Sequence, residues 1–446
     1  MRMTVPRTVC LGFLAMIVLG TLLLMLPVST QSGTWNDPLV ALFTATSAVC
    51  VTGLVVVDTG THFSPVGQGL ILALIQLGGL GYMTATTFLL LILGRRLGLR
   101  DRIALQQSLE ITELSGGSSL VVSIIAMTLV IELTGAFLLM PVFMRDFGAG
   151  QGLWLSLFHS ISAFNNAGFS LFAENLIRYA ESPWVNLVIT LLVILGGIGY
   201  QVITEGFLWL RDRVQGHTET HVFSLHFKVV TSTTVALLLL GTVTLLATEL
   251  NNPKTLASVN PYSQLMMAWF QSVIARTAGF NTVDIGAMES TSLFIMIGLM
   301  FIGASPGSTG GGIKTTTVRI LYACTRMVLQ GREEVLLYQR EIPLPRLAKA
   351  VAVLLGSVTV VILVTTLLSQ FDPEFSFIQL LFETVSAFAT VGLSANITPK
   401  LAPISQGLII CTMYIGRVGV LLLIAALLRE PKPSAINYPP EDLLVG

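Results

Sequence analysis

Charged side chains are scarce in this sequence: Asp, Glu, Lys and Arg make up 11% of its 446 residues, whereas soluble domains carry about 25%. The four cysteines have neither the spacing of a metal site nor that of a disulfide framework. The 24 basic and 24 acidic residues cancel, so no net field favours nucleic acid. These deficits argue against a soluble domain, a disulfide scaffold and a nucleic-acid-binding protein.

Long apolar runs take the place of charge, since 53% of the residues are hydrophobic. Eight runs approach or exceed the ~20 residues that cross a bilayer. They cover residues 8–26, 67–93, 120–143, 184–210, 229–248, 290–329, 348–368 and 407–428. The first follows a basic start, as a secretory signal does, but its 19 residues exceed the ~7–15 of a signal core. We therefore expect a retained transmembrane helix.

Four shorter apolar segments, one between the two spans of each pair, predict re-entrant half-helices. Each is followed by a glycine and then Leu or Phe, at Gly53, Gly168, Gly279 and Gly392, with separations of 115, 111 and 113 residues. A second repeated motif lies in the later span of each pair, as "LGGLGY", "LGGIGY", "IGASPG" and "IGRVGV". Constant spacing of two motifs indicates a fourfold repeat of span, half-helix and span.

The predicted fold is an all-α membrane protein of four M1-P-M2 repeats, with eight transmembrane helices and four re-entrant pore loops around one pseudo-fourfold pore. The predicted divisions are residues 8–118, 119–225, 226–344 with an intramembrane loop at 304–317, 345–431, and a cytosolic tail at 432–446. Seventeen basic residues fall on one side of this topology and four on the other. The positive-inside rule therefore predicts a multi-pass protein with both termini in the cytoplasm.

The glycines predict a cation filter. Non-helical backbone at membrane depth must line protein or water, and inward-facing carbonyls can replace the hydration shell of a cation. The expected filter residues are Val51, Thr52, Gly53, Asn166, Ala167, Gly168, Thr277, Ala278, Gly279, Thr390, Val391 and Gly392. The alternative is that these glycines only terminate helices.

The motifs "CVTGL", "FNNAGFS", "RTAGFNT" and "FETVSAFATVGLS" resemble the four filters of the Trk/Ktr/HKT superfamily of potassium transporters. The chain most resembles the Ktr membrane (KtrB-type) subunit, because it begins directly with the first repeat and ends in "INYPPEDLLVG". Plant relatives that prefer sodium have serine at the position of Gly53. The resemblance therefore implies a preference for potassium, although single-glycine filters suggest weaker discrimination than that of true potassium channels.

The resemblance also implies the setting of the protein. It suggests sodium-dependent potassium uptake across the plasma membrane by a homodimer with one pore in each subunit. A cytosolic nucleotide-binding ring of RCK (KtrA-type) subunits would control it. Potassium would be the substrate, held as a metal ion at the filter carbonyls, and sodium an activator. No cofactor is expected in this chain.

The glycine-rich segment "GASPGSTGGGIKTTT" interrupts the sixth span. It is not a Walker loop, because Ile313 separates its last glycine from Lys314 and no strand precedes it. We expect an unwound loop that gates the pore, held closed by Arg417 of the last span; the resemblance implies the same roles. The gate residues are Gly307, Ser308, Thr309, Gly310, Gly311, Gly312, Lys314 and Arg417. The alternative is a passive break in the helix.

Four further ionisable residues are expected to support structure. Arg276 precedes the third filter and would repel a cation if it faced the pore, so we expect it to brace the loop. Glu132 and Glu383 are expected to be paired within the protein, and the lone His159 to have a structural role. The alternative for Arg276, Glu132 and Glu383 is direct control of conduction. Residues 320–345 and the tail from 429 are either docking surfaces for the ring or solvated loops.

Two other functions compete with conduction. An alternating-access carrier, such as a Trk-like proton- or sodium-coupled symporter, would also use broken helices, but parallel repeats argue against it; a less selective potassium/sodium conductor remains open. A membrane-embedded enzyme would need a catalytic constellation, and the sequence contains neither HExxH nor an intact phosphate loop. The protein is therefore not expected to be an enzyme.

Overall fold

The computed structural model describes residues 4–81, 117–216 and 222–427. Within them, each repeat begins with a long helix and continues with a short one. The long helices are α1 (Val5–Met25), α5 (Gly117–Phe147), α9 (Leu225–Glu249) and α13 (Leu344–Phe371). The short ones are α2 (Pro38–Val49), α6 (Ala149–Phe164), α10 (Pro261–Ile274) and α14 (Phe377–Phe388). This order confirms the predicted fold class.

The third part of each repeat is a span that does not run straight. It comprises α4 (Pro65–Leu80); α7 (Pro183–Ile198) and α8 (Tyr200–Val214); α11 (Ser290–Phe301) and α12 (Thr315–Leu329); and α15 (Pro403–Val418) and α16 (Val420–Leu427). The remaining elements are α3 (Thr59–His62) and a hairpin of β1 (Leu336–Leu337) with β2 (Arg340–Glu341). Four 3₁₀ turns lie at Pro27–Ser29, Ile177–Tyr179, Ile285–Ala287 and Thr398–Lys400.

Two of the predicted spans are bent and are not single continuous helices. The span predicted at residues 184–210 bends by 108° and the one at 407–428 by 94°. Each bend lies at a glycine in the left-handed region, Gly199 with φ 96° and Gly419 with φ 89°, a conformation that costs other residues about 1–2 kcal/mol. Gly81 at the end of α4 has φ 82°. The second spans of the second and fourth repeats therefore bend at matching glycines, so the sixth span is not the only interrupted one among the described residues.

The predicted loop limits of 304–317 need a similar correction. The helix before the loop ends at Phe301, and α12 already begins at Thr315, so three threonines assigned to the loop form a helical first turn. Of the predicted second span at 67–93, the part beyond residue 81 lies outside the described residues.

Within the described ranges, four helices are long and apolar enough to cross a membrane, and six if each bent pair counts as one span. They are packed around the short helices, whose residues fill the two largest hydrophobic cores. Three second spans approach the short helices through a glycine. A β-carbon at Gly78, Gly196 or Gly416 would lie 2.1, 1.8 or 1.8 Å from the carbonyl oxygens of Val49, Phe164 and Phe388, respectively. These glycines set the height at which the short helices end.

Changing Gly196 to alanine should destabilise the protein, because the new methyl group would overlap the Phe164 carbonyl oxygen, which is backbone and cannot rotate away. We expect a loss of about 1–3 kcal/mol, as for other overpacked sites, measured as a lower melting temperature in detergent. The control is Gly150→Ala, since nothing lies within 4 Å of a β-carbon at Gly150. Equal melting temperatures for the two variants would contradict the proposed contact.

Candidate functional site

Each short helix ends in a tight turn whose backbone is unusual at both ends. The first residue of the turn is not glycine and yet has positive φ: Val51 56°, Asn166 58°, Thr277 70° and Thr390 51°. The last residue is the repeated glycine: Gly53 93°, Gly168 69°, Gly279 70° and Gly392 92°. Left-handed backbone at a non-glycine residue is uncommon. Four copies of the same arrangement indicate a functional constraint on the backbone.

The four turns meet in a closed ring. The β-carbon position of Gly53 lies 2.4 Å from Ala167 O, that of Gly168 2.9 Å from Ala278 O, that of Gly279 2.6 Å from Val391 O, and that of Gly392 2.1 Å from Thr52 O. Each repeat thus contacts the next one, and the fourth returns to the first. Any side chain at these glycines would collide with a neighbouring carbonyl.

The carbonyl oxygens of these turns have no protein partner. Among the described residues, none donates a hydrogen bond to a carbonyl of the twelve predicted filter residues, although all eight non-glycine members are fully buried. Buried carbonyls without a donor are rare and costly. A dehydrated cation would satisfy them, as in potassium filters. The structure therefore brings all twelve predicted residues together, and their role in cation binding stays a prediction.

Serines that the sequence analysis overlooked brace three of the turns. Ser47 Oγ accepts a hydrogen bond from Gly53 N at 3.0 Å and Ser386 Oγ one from Gly392 N at 3.1 Å, whereas Ser162 Oγ donates to Phe169 O at 2.8 Å. A serine six residues before the filter glycine was the available signal. The third repeat has Val273 at this position, so its turn lacks the hydroxyl brace.

The loop between α11 and α12 lies directly against the filter. Gly311 N donates to Thr390 Oγ1 at 3.1 Å, and a β-carbon at Gly310 would lie 2.2 Å from Thr277 Oγ1. The loop is also tied to the second repeat, since Thr309 N donates to Gly196 O at 3.2 Å. Lys314 Nζ donates to Gly310 O at 2.9 Å. The loop tip thus lies beneath the third and fourth filters.

Arg417 joins this loop to another repeat. Its guanidinium donates to Thr309 O in the loop and to Gly78 O at the end of α4, with Gly79 O at 3.5 Å. The contact expected between Arg417 and a loop carbonyl is therefore present. The Arg417 guanidinium thus binds carbonyls of two separate segments, as a latch between them would. The gating role itself stays a prediction.

The other buried ionisable residues contact neutral groups. Arg276 donates to Gly303 O at 3.3 Å and Thr234 O at 3.5 Å, so it faces the start of the loop. Glu383 accepts from the Thr398 hydroxyl. His159 contacts Leu155 O at 2.8 Å and Ser170 Oγ at 3.0 Å.

A cavity of about 1010 Å³ opens on the other side of the loop. It is lined by the loop residues Pro306 to Gly312 and by Gly79, Gly196 and Gly416 of three second spans. Several repeats thus contribute to one space. All the predicted gate residues line it.

The profile of the TrkH family, described as "Cation transport protein", matches residues 7–437. The chain belongs to this family. The likeness extends to a solved TrkH structure, the potassium transporter of Vibrio parahaemolyticus, with a TM-score of 0.72 over 94% of this chain and 84% of that one. At 18% identity, that match shows the fold alone.

Several relatives align with this chain over almost its full length. It is 40% identical to "Ktr system potassium uptake protein B" of Bacillus subtilis, over 100% of this chain and 97% of the relative. It is 40% identical to the protein of that name in Vibrio alginolyticus, over 99% and 95%. The "Potassium/sodium uptake protein NtpJ" of Enterococcus hirae is 36% identical, over 100% and 98%.

Changing Gly53 to serine should weaken cation binding, because its β-carbon would collide with Ala167 O and the residue has φ 93°. A left-handed penalty of about 1–2 kcal/mol corresponds to about a tenfold weaker affinity. The measurement is thermal stabilisation of the purified protein by potassium. Gly33→Ser is the control, since Gly33 has φ 68° but nothing within 4 Å. Equal effects of the two changes would argue against a binding site at the ring.

Proposed function

We propose that the protein conducts potassium into the cell, as the ion-conducting subunit of a Ktr-type uptake system. The observation that carries the proposal is the closed ring of four glycine turns with buried, unbonded carbonyls. The names of the two relatives at 40% identity support potassium as the substrate. These relatives are transporters, so we assign no enzymatic reaction.

Conduction follows from the electrostatics of the ring. The inward carbonyls of Thr52, Ala167, Ala278 and Val391 replace water around the ion. Each short helix directs its carbonyl end toward the ring, where the helix dipole favours positive charge. The ion needs no chemical energy, since a negative-inside potential supplies ~2.3 kcal/mol per charge for each 100 mV.

The loop serves as the gate in this proposal. Gly307, Ser308, Thr309, Gly310, Gly311, Gly312 and Lys314 lie across the route from the filter to the cavity. Gly307 and Gly312 have φ 67° and 71° and provide hinges. Arg417 stabilises the closed arrangement through the Thr309 carbonyl. Release of this contact would let the loop move aside.

The remaining parts of the proposal concern the assembly. We assign the protein to the plasma membrane as a homodimer with cytoplasmic termini, sodium as an activator, and a cytosolic RCK ring as the regulator. The proposed repeats are residues 8–118, 119–225, 226–344 and 345–431, followed by a cytosolic tail at 432–446. Support comes from the resemblance and from the hairpin at residues 336–341, where Arg340 and Glu341 are exposed and available to a partner.

A second candidate is a less selective potassium/sodium conductor. It is favoured by the name of the Enterococcus hirae relative, a potassium/sodium uptake protein. A coupled symporter is the weaker alternative, because the ring leaves the ion coordinated by backbone groups and no proton-carrying side chain faces it among the described filter residues.

Uptake by a bacterial strain that lacks its own potassium systems tests the proposal. Expression with an RCK partner should restore growth at low potassium, with uptake that rises when sodium is added. Rubidium uptake with and without competing sodium gives the ion preference and separates the two conductors. Absence of rubidium uptake despite membrane insertion would overturn the proposal.

Changing Arg417 to glutamine should raise the basal flux, because the loop loses its charged latch. Hydrogen bonds to charged groups contribute about 1.5–3 kcal/mol, so the open population should rise by about tenfold or more. The measurement is rubidium influx into proteoliposomes without an RCK partner. Arg326→Gln is the matched control, since Arg326 is exposed on α12. Unchanged flux in the Arg417 variant would contradict the latch.

A further inference from the structure

Glu132 is a buried carboxylate that the proposed conduction mechanism leaves without a role. It lies in α5 and is 2% exposed. Its Oε1 accepts from Asn165 Nδ2 at 2.8 Å and its Oε2 from Gln76 Nε2 at 3.2 Å. Each carboxyl oxygen thus accepts from the amide group of a different residue. Within the described ranges, no basic side chain forms an ion pair with it.

Asn165 connects this carboxylate to the second filter. It ends α6 and directly precedes Asn166, the filter residue with φ 58°. Its Nδ2 also contacts Gln76 Oε1 at 3.0 Å and Ile161 O at 2.9 Å. Three acceptors on three helices therefore fix the orientation of one amide. The residues at matching positions in the other repeats are Cys50, Arg276 and Ala389, so only the second repeat has this arrangement.

The same amide lies next to the Arg417 latch. A β-carbon at Gly79 would lie 1.9 Å from Asn165 Oδ1, so the asparagine packs against the backbone at the end of α4. The carbonyls of Gly78 and Gly79 at that end face Arg417. A continuous set of contacts thus leads from Glu132 through Asn165 and α4 to the gate loop.

We propose that Glu132 is a positioning residue that sets the conformation of the second filter through Asn165, and with it the preference of the pore for potassium over sodium. The inference rests on the proposed function. Carbonyl rings discriminate ions by their geometry and flexibility, and the second filter depends on how firmly its preceding residue is held. The carboxyl group is suited to this role because its two oxygens accept from two amides at once, one on Asn165 and one on Gln76.

The test compares Glu132→Gln with Asn165→Ala in proteoliposomes. Glutamine keeps the shape of Glu132 but places an amide donor against donors, so the hold on Asn165 weakens. We expect the concentration of sodium that halves rubidium influx to fall by about fivefold in each variant, and by no more in the double variant, because the two residues act in series. The maximal rubidium influx should change much less than the preference.

Ser160→Ala is the matched control. Ser160 Oγ donates to the main-chain carbonyl of Glu132 at 2.6 Å, so its loss disturbs the same helix without touching the carboxylate. Melting temperatures of all variants monitor folding, and potassium-dependent stabilisation monitors binding if transport fails. Unchanged sodium competition in Glu132→Gln, or additive effects in the double variant, would overturn the inference. A wild-type protein that carries no rubidium would instead overturn the proposed function.

Discussion

The structure depends on one constraint: irregular backbone inside a membrane must have partners for its polar groups. Four short helices each end in a turn whose buried carbonyls accept no hydrogen bond from the described residues. One such turn alone would be costly. Four such turns that contact each other around a shared axis form a site in which a cation can be the missing partner of the carbonyls. The packing glycines at 78, 196 and 416, the bracing serines and the long outer helices all hold the turns at one height.

The same constraint explains how the loop can cross the membrane interior. Its amides and carbonyls are satisfied by the surroundings of the filter: Thr390 Oγ1, Gly196 O and the side chains of Arg417 and Lys314. The loop is therefore part of the wall that supports the ring. A loop bound by hydrogen bonds to neutral groups and by a few charged contacts, such as that of Arg417 with Thr309 O and that of Lys314 with Gly310 O, is stable in place and yet released by the loss of few interactions.

Much of this was visible in the sequence, because spacing is a property of sequence. Four glycines at near-equal separations indicated the turns that form the ring, and the few charged residues within apolar runs pointed to Arg417 as a partner for the loop. The bends at Gly199 and Gly419 were missed, because an apolar run predicts one membrane span by its length alone. Its hydropathy does not show whether the backbone bends within it. Ser47, Ser162 and Ser386 were missed for another reason: a hydroxyl brace depends on a contact across a turn, which composition does not reveal.

The ring is built from four unequal walls, since one chain supplies "CVTGL", "FNNAGFS", "RTAGFNT" and "ATVGLS". In a symmetric tetramer, a single substitution alters every wall at once. Here it alters one quarter of the ring and leaves the rest intact. The third wall has Val273 where the others have a bracing serine, and the second has the amide of Asn165. The properties of this ring can therefore be changed one wall at a time, which a fourfold-symmetric pore does not permit.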